Sequence, residues 1–210
     1  ACDTTNIKKV KKIINKSKSK KIKIGYKFGL EFMNSKNGRK FISKLKRKVI
    51  FIDLKLNDTV NTMLSAVRAL SDLKINYLTV HISSGLAALK AVKKVSNATK
   101  IVGVTTLTSL NNNDLKLIGY DKSVKNLVAH QAKLAKKAAL DALVCSPREV
   151  NIVRKIFKKE IITPGIQIGK SNYDQKRSME AKKVQSDWLV IGRAITQGNI
   201  KKNIQKLFKE

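Results

Sequence analysis

Apolar and polar positions alternate along this chain in two periods, and the two periods take turns. Short β-branched runs read as buried strands, and longer stretches with apolar residues three and four apart read as amphipathic helices. Ala1-Cys2-Asp3 reads as the tail of a first strand whose upstream part is absent, and a helix is predicted from Asn6 to Lys18 with Ile7, Val10, Ile13 and Ile14 on one face. Strands follow at 22–29, at 49 onward, at 77–82, 101–107, 142–145, 161–166 and 188–193. Between them helices are predicted over 34–45, 60–73, 85–95 and 123–138, with Ser146-Pro147 opening another and 198–208 closing the chain. Residues 111–113 read as a turn and 167–177 as a mobile polar loop.

Strand-helix units repeated in this way predict a parallel sheet with helices outside it. Eight such units in 210 residues fit a single (β/α)8 TIM barrel domain over 1–210, with the first strand truncated. In that fold the site forms where strands end and βα loops begin. Asp3, Lys27, Asp53, Lys55, Thr108 and Arg193 all fall at predicted strand ends.

The run Val49-Ile50-Phe51-Ile52-Asp53-Leu54-Lys55-Leu56-Asn57-Asp58 holds the strongest candidate chemistry. Asp53 and Lys55 are two apart, so a strand points them to one face. Charges at the end of so apolar a strand are costly unless paired or used. The arrangement predicts Lys55 held between the carboxylates of Asp53 and Asp58.

Composition narrows the class. The chain is 42% hydrophobic and 28% charged, a globular balance, and no apolar run is long enough to span a bilayer. Its two cysteines, Cys2 and Cys145, form no metal-binding or redox pair, which fits a cytoplasmic setting. The formal charge of +31 raises the question of nucleic-acid binding. The lysines, however, are spread along the whole chain, and aromatics at 5% do not interleave the basic runs to stack on bases. Solvated helix faces account for the charge, and no specific nucleic-acid partner is expected. His81 is read as a structural histidine, Cys145 as a small buried side chain and Trp188 as packing.

Several segments together resemble one family. Asp53-Leu54-Lys55-Leu56-Asn57-Asp58 with Asn61-Thr62 resembles the D-x-K-x-x-D…N-T signature of the orotidine 5′-phosphate decarboxylases. Tyr26-Lys27-Phe28-Gly29-Leu30-Glu31, Leu107-Thr108-Ser109, Val144-Cys145-Ser146-Pro147, Thr163-Pro164-Gly165-Ile166, Asp174-Gln175-Lys176-Arg177 and Ile191-Gly192-Arg193 match further family segments in the same order. The D-x-K-x-x-D element alone is shared with sugar-phosphate lyases and synthases of the same suprafamily; the other segments make the resemblance specific.

The resemblance implies conversion of orotidine 5′-monophosphate to UMP and CO2, with no metal and no organic cofactor, in a homodimer. It implies that Lys55 stabilises and then protonates the ring carbanion, that Asp53 lies near the departing carboxylate, and that Asp58 comes from the partner subunit. Lys27 completes the charge array and, with Asp3, holds ribose hydroxyls. Thr62, Thr108 and Gln175 contact substrate, and Gly192 and Arg193 bind phosphate. The arginine usual after Pro-Gly-Ile is Gln167 here, with Lys170 nearby as a substitute cation. A lysine set among carboxylates serves as a fixed charge and proton donor rather than a Schiff-base nucleophile. Two other readings compete: a metal-dependent sugar-phosphate lyase or synthase on the same barrel, and a non-catalytic basic nucleic-acid binder.

Overall fold

The computed structural model describes residues 1–167, 179–180 and 184–209. Helix α1 (Ile7–Lys16) leads into β1 (Gly25–Gly29), α2 (Leu30–Met33), α3 (Gly38–Ser43) and β2 (Val49–Leu56). Then come α4 (Val60–Ala69), β3 (Tyr77–His81), α5 (Gly85–Val95), β4 (Lys100–Val104), α6 (Asn112–Leu117), α7 (Val124–Lys137) and β5 (Ala142–Val144). The chain continues through α8 (Val150–Ile156), β6 (Glu160–Thr163), β7 (Ile166–Gln167), β8 (Met179–Glu180), β9 (Trp188–Leu189), α9 (Arg193–Thr196) and α10 (Ile200–Lys209).

Seven strands form one parallel sheet in the order β1-β2-β3-β4-β5-β6-β9, and β7 pairs with β8 outside it. This is a TIM-barrel-like α/β fold in which β1 and β9 are the sheet's edges rather than paired neighbours. Residues 1–3 are not a strand, yet they bridge those edges. The Cys2 N–H donates to the Lys27 carbonyl at 2.8 Å, and the Ala1 nitrogen to the Ile191 carbonyl at 2.9 Å.

The two-residue period of the strands sorts the core into two layers. Ile50 and Ile52 of β2 and Leu78 and Val80 of β3 pack outward among Met63, Val67, Leu89 and Val92 of the helices. Phe51, Tyr77, Val102, Ala142 and Ile162 point the other way and fill the barrel. Each fully buried large side chain, such as Phe28 or Ile52, contributes about 1.5–3 kcal/mol. Trp188 is packing, as expected, its ring 6.1 Å from that of Tyr77. The predicted cap at Ser146 forms, its Oγ accepting from the Arg148 N–H at 3.2 Å, and Asn6 also caps α1, its Oδ1 accepting from the Lys9 N–H at 3.1 Å.

Two helical regions differ in organisation from the sequence prediction. The helix expected over 34–45 is only α3, and α2, which was not expected, precedes that range and is joined to it by a turn. The Gly38 N–H donates to the Ser35 carbonyl at 3.0 Å, and a Cβ on Gly38 would sit 2.0 Å from the Phe32 carbonyl oxygen. The missing side chain lets α3 fold back over the end of α2, where Phe41 packs edge-on against Phe32 at 5.7 Å. Residues 111–113 are not a plain turn but the start of α6. Asn111 and Asp114 form a reciprocal capping box that satisfies the helix's first N–H groups.

The strand predicted over 161–166 ends at Thr163, because Gly165 takes a positive φ of 77°. The last strand is shorter than 188–193, although the Val190 N–H still reaches the Thr163 carbonyl at 2.8 Å.

Candidate active site

The C-terminal end of the sheet opens into a cavity of about 470 Å³. Its walls include Asp3, Lys27, Asp53, Lys55, Thr108, Gly192 and Arg193, so seven of the expected site residues converge there. The convergence follows from topology: parallel strands end on one side, where strand residues and the segments that follow them meet.

Four of these side chains form a chain of alternating charge. Lys27 Nζ lies 3.0 Å from Asp3 Oδ1 and 3.3 Å from Asp53 Oδ2, and Lys55 Nζ lies 2.9 Å from that same Asp53 oxygen. The Lys27 and Asp53 side chains retain only 14% and 12% of their exposure, so the central pair is shielded from solvent screening. The β1–β2 register pairs Lys27 with Phe51, two residues before Asp53, so Lys27 and Asp53 share one face of the sheet.

A Cβ on Gly29 would stand 3.2 Å from Asp3 Oδ1, so the glycine leaves room for the Asp3–Lys27 contact. Burial alone would raise the Asp53 carboxyl's pKa, but Lys27 and Lys55 outweigh it and the net shift is downward. Burial likewise works against the Lys27 ammonium, and Asp53 and Asp3 overcome it to raise its pKa. Both shifts favour the charged forms of the central Lys27–Asp53 pair.

The order of charges differs from the one expected for Lys55. Within the chain Lys55 pairs with Asp53 and not with Asp58; Asp53 lies between Lys27 and Lys55, and the lysine held between two carboxylates is Lys27. Asp58 is exposed, and its Oδ1 accepts from the Thr59 N–H at 2.7 Å. Thr62 is exposed as well, with its hydroxyl 3.0 Å from that of Thr59. Both lie past the end of β2 and outside the cavity wall.

Gln167 sits in β7, immediately after the cavity-lining Ile166; its side chain lies outside the described residues, as do Lys170, Gln175 and the rest of the loop expected over 168–177.

Some neighbours of the array were not singled out from sequence. Thr79, in the middle of β3, is fully buried and donates its hydroxyl hydrogen bond to Asp53 Oδ1 at 3.1 Å. Its signal was a polar residue sharing parity with Tyr77 and His81 inside an apolar strand. His81, which the sequence suggests is a structural histidine, stands close enough to the array to feel it. Burial and then Lys55 lower its pKa, against a smaller opposing pull from Asp53. Cys145 is buried in the cavity wall. Among the described residues no group of three or more His, Cys, Asp and Glu side chains is placed to hold a metal ion.

Comparison with known proteins gives this geometry a family. Residues 1–206 match the sequence model of the Orotidine 5′-phosphate decarboxylase / HUMPS family. The chain belongs to that family. It is 40% identical over 190 residues to the orotidine 5′-phosphate decarboxylase of Wolbachia sp. subsp. Brugia malayi, covering 86% of this chain and 84% of the relative. It is 39% identical over 182 residues to the enzyme of Buchnera aphidicola subsp. Schizaphis graminum, covering 81% and 76%. The crystal structure of orotidine 5′-phosphate decarboxylase from Lactobacillus acidophilus superposes with a TM-score of 0.82 at 29% identity, covering 99% of this chain and 96% of that one. Members of the orotidine 5′-phosphate decarboxylase family thus share both the sequence and the barrel described here.

Proposed function

We propose that this protein decarboxylates orotidine 5′-monophosphate to UMP and CO2, the last step of de novo UMP synthesis. The observation that carries the reading is the unbroken Asp3–Lys27–Asp53–Lys55 array at the mouth of a barrel of this family. The bond between the pyrimidine ring and its carboxylate breaks, CO2 leaves, and the electron pair stays on the ring carbon. The Lys55 ammonium stabilises that carbanion and delivers a proton to it, and solvent then reprotonates the amine. Asp53, lying near the departing carboxylate, favours its loss, and fixed charge aimed at a developing anion supplies the largest catalytic term.

Asp3 and Lys27 hold the ribose hydroxyls. Thr108 contacts the substrate, and Gly192 and Arg193 receive the phosphate. That assignment is supported by the shared cavity, which has Lys55 and Arg193 in its walls. Gln167 and Gln175 complete the phosphate end from the loop after β6. The site is finished in a homodimer, with Asp58 and Thr62 supplied by the partner subunit to the cavity that holds Lys55. Their exposure on the segment after β2 is compatible with such a contact. No organic cofactor or metal takes part, and the cytoplasm is the expected setting; no helix of the described residues is long and apolar enough to cross a membrane.

The test is a spectrophotometric assay of orotidine 5′-monophosphate with and without EDTA. Loss of substrate absorbance that EDTA leaves unchanged is the expected result. Absence of turnover, or turnover of a sugar phosphate that EDTA stops, overturns the reading in favour of a metal-dependent lyase or synthase.

A further inference from the structure

The ladder between β2 and β3 is broken beside the charge array. Ile52 pairs with Leu78, and the next pairing is Leu56 with Val80, so β2 advances four residues while β3 advances two. The excess is taken up around Lys55, whose φ of 51° is left-handed, a conformation disfavoured for a residue with a side chain. A bulge of this kind removes a regular ladder bond and re-aims a side chain.

The Lys55 N–H donates instead to Thr79 Oγ1 at 2.8 Å. The same hydroxyl donates to Asp53 Oδ1 at 3.1 Å. A hydroxyl has one proton to give, and an ionised carboxylate can only accept. The direction of both bonds is therefore fixed: Thr79 receives from the Lys55 backbone and gives to Asp53. Asp53 keeps its other oxygen, Oδ2, for Lys27 and Lys55. One buried hydroxyl thus ties the backbone of the lysine to the carboxylate that its own ammonium contacts.

We infer that Thr79 is a positioning residue of this site, whose hydroxyl holds Lys55 in its left-handed turn and Asp53 in one orientation before substrate arrives. The inference rests on the decarboxylase reading for its kinetic consequence, but the hold on Lys55 is a property of the folded chain. Thr79 is buried behind the array and does not line the cavity, so it acts through Asp53 and Lys55 rather than on the substrate. Valine matches threonine in shape but lacks the hydroxyl; serine keeps the hydroxyl and loses the methyl.

The experiment compares wild type, Thr79→Val and Thr79→Ser by steady-state kinetics and by amide hydrogen exchange at Lys55. In Thr79→Val, kcat is expected to fall about 10- to 100-fold from misplaced reacting groups, with KM changed less than about threefold. The Lys55 amide is expected to exchange at least about tenfold faster as it loses its acceptor. Thr79→Ser is expected to restore both kcat and protection. A folded Thr79→Val protein with kcat within about twofold of wild type overturns the inference, as does a serine variant as impaired as the valine one. A wild-type Lys55 amide that exchanges as fast as an open one also overturns it, and that measurement stands even if the valine variant does not fold. If wild type does not turn over orotidine 5′-monophosphate but the exchange pattern appears, the decarboxylase reading falls and the hold of Thr79 on Lys55 is retained.

Discussion

Lys55 Nζ lies 2.9 Å from Asp53 Oδ2, two residues back along the same strand. The pair lets a proton donor and a buried negative charge share one end of the cavity. Lys27 contacts the same oxygen at 3.3 Å, so removing Lys55 leaves Asp53 with a partner.

The Lys55→Ala protein should therefore fold and lose activity. Losing both the fixed charge and the general acid lowers kcat by about 10⁴-fold or more. Circular dichroism and the absorbance assay check the two halves together; near-wild-type turnover by the folded variant contradicts the role given to Lys55.

A site shared across a dimer makes a mixing experiment diagnostic. On the proposed shared site, Lys55→Ala and Asp58→Ala proteins should each be inactive, whereas a hybrid dimer would have one site with both lesions and one with neither. With random exchange half the dimers are hybrids, so activity should return to about a quarter of wild type. Subunit exchange is followed by labelled-chain mass spectrometry, and exchange without recovered activity contradicts the shared site.

Gln167 stands where the family resemblance leads one to expect an arginine. A charge-assisted hydrogen bond is worth about 1.5–3 kcal/mol, so Gln167→Arg should tighten UMP binding about ten- to a hundredfold and leave uridine nearly unchanged. Calorimetry on that variant, on Lys170→Ala and on the double mutant separates the two positions. If Lys170 already meets the phosphate, the gain shrinks and Lys170→Ala weakens binding only in the Gln167 background. Equal affinities throughout mean that neither residue meets the phosphate.

The shifts at Asp53 and Lys27 fix a pH dependence of stability. The Asp53 carboxyl is held below its unfolded value, so its contribution is full above about pH 4 and is lost as pH falls through the depressed folded value. The Lys27 ammonium is raised, so its contribution is full below about pH 10.4 and is lost only as pH rises through the higher folded value. Urea denaturation of wild type and Asp53→Asn should differ most near neutrality and converge in acid. A gap that stays constant to well below pH 4 contradicts the linkage.

The sequence by itself determined the alternation of most strands and helices, and the family. These depend on periodicities of two and of about three and a half residues, and on local caps such as Ser146 and Asn6, which are written in near neighbours. It also placed Asp53 and Lys55 on one face, because they share a strand. Tertiary structure decided what lies beyond that reach. Asp3 meets Lys27 across 24 residues because the N-terminal segment docks on β1 through the Cys2 N–H, and Thr79 meets Asp53 across 26 because β3 pairs in parallel with β2. That Lys27 rather than Lys55 lies between two carboxylates has the same origin, since β1 supplies that cation. The helix expected over 34–45 starts only at Gly38, where close approach to the Phe32 carbonyl outweighs helical periodicity. Local pattern records which way a side chain faces; the strand register, set by burying both faces of the sheet at once, selects what it faces.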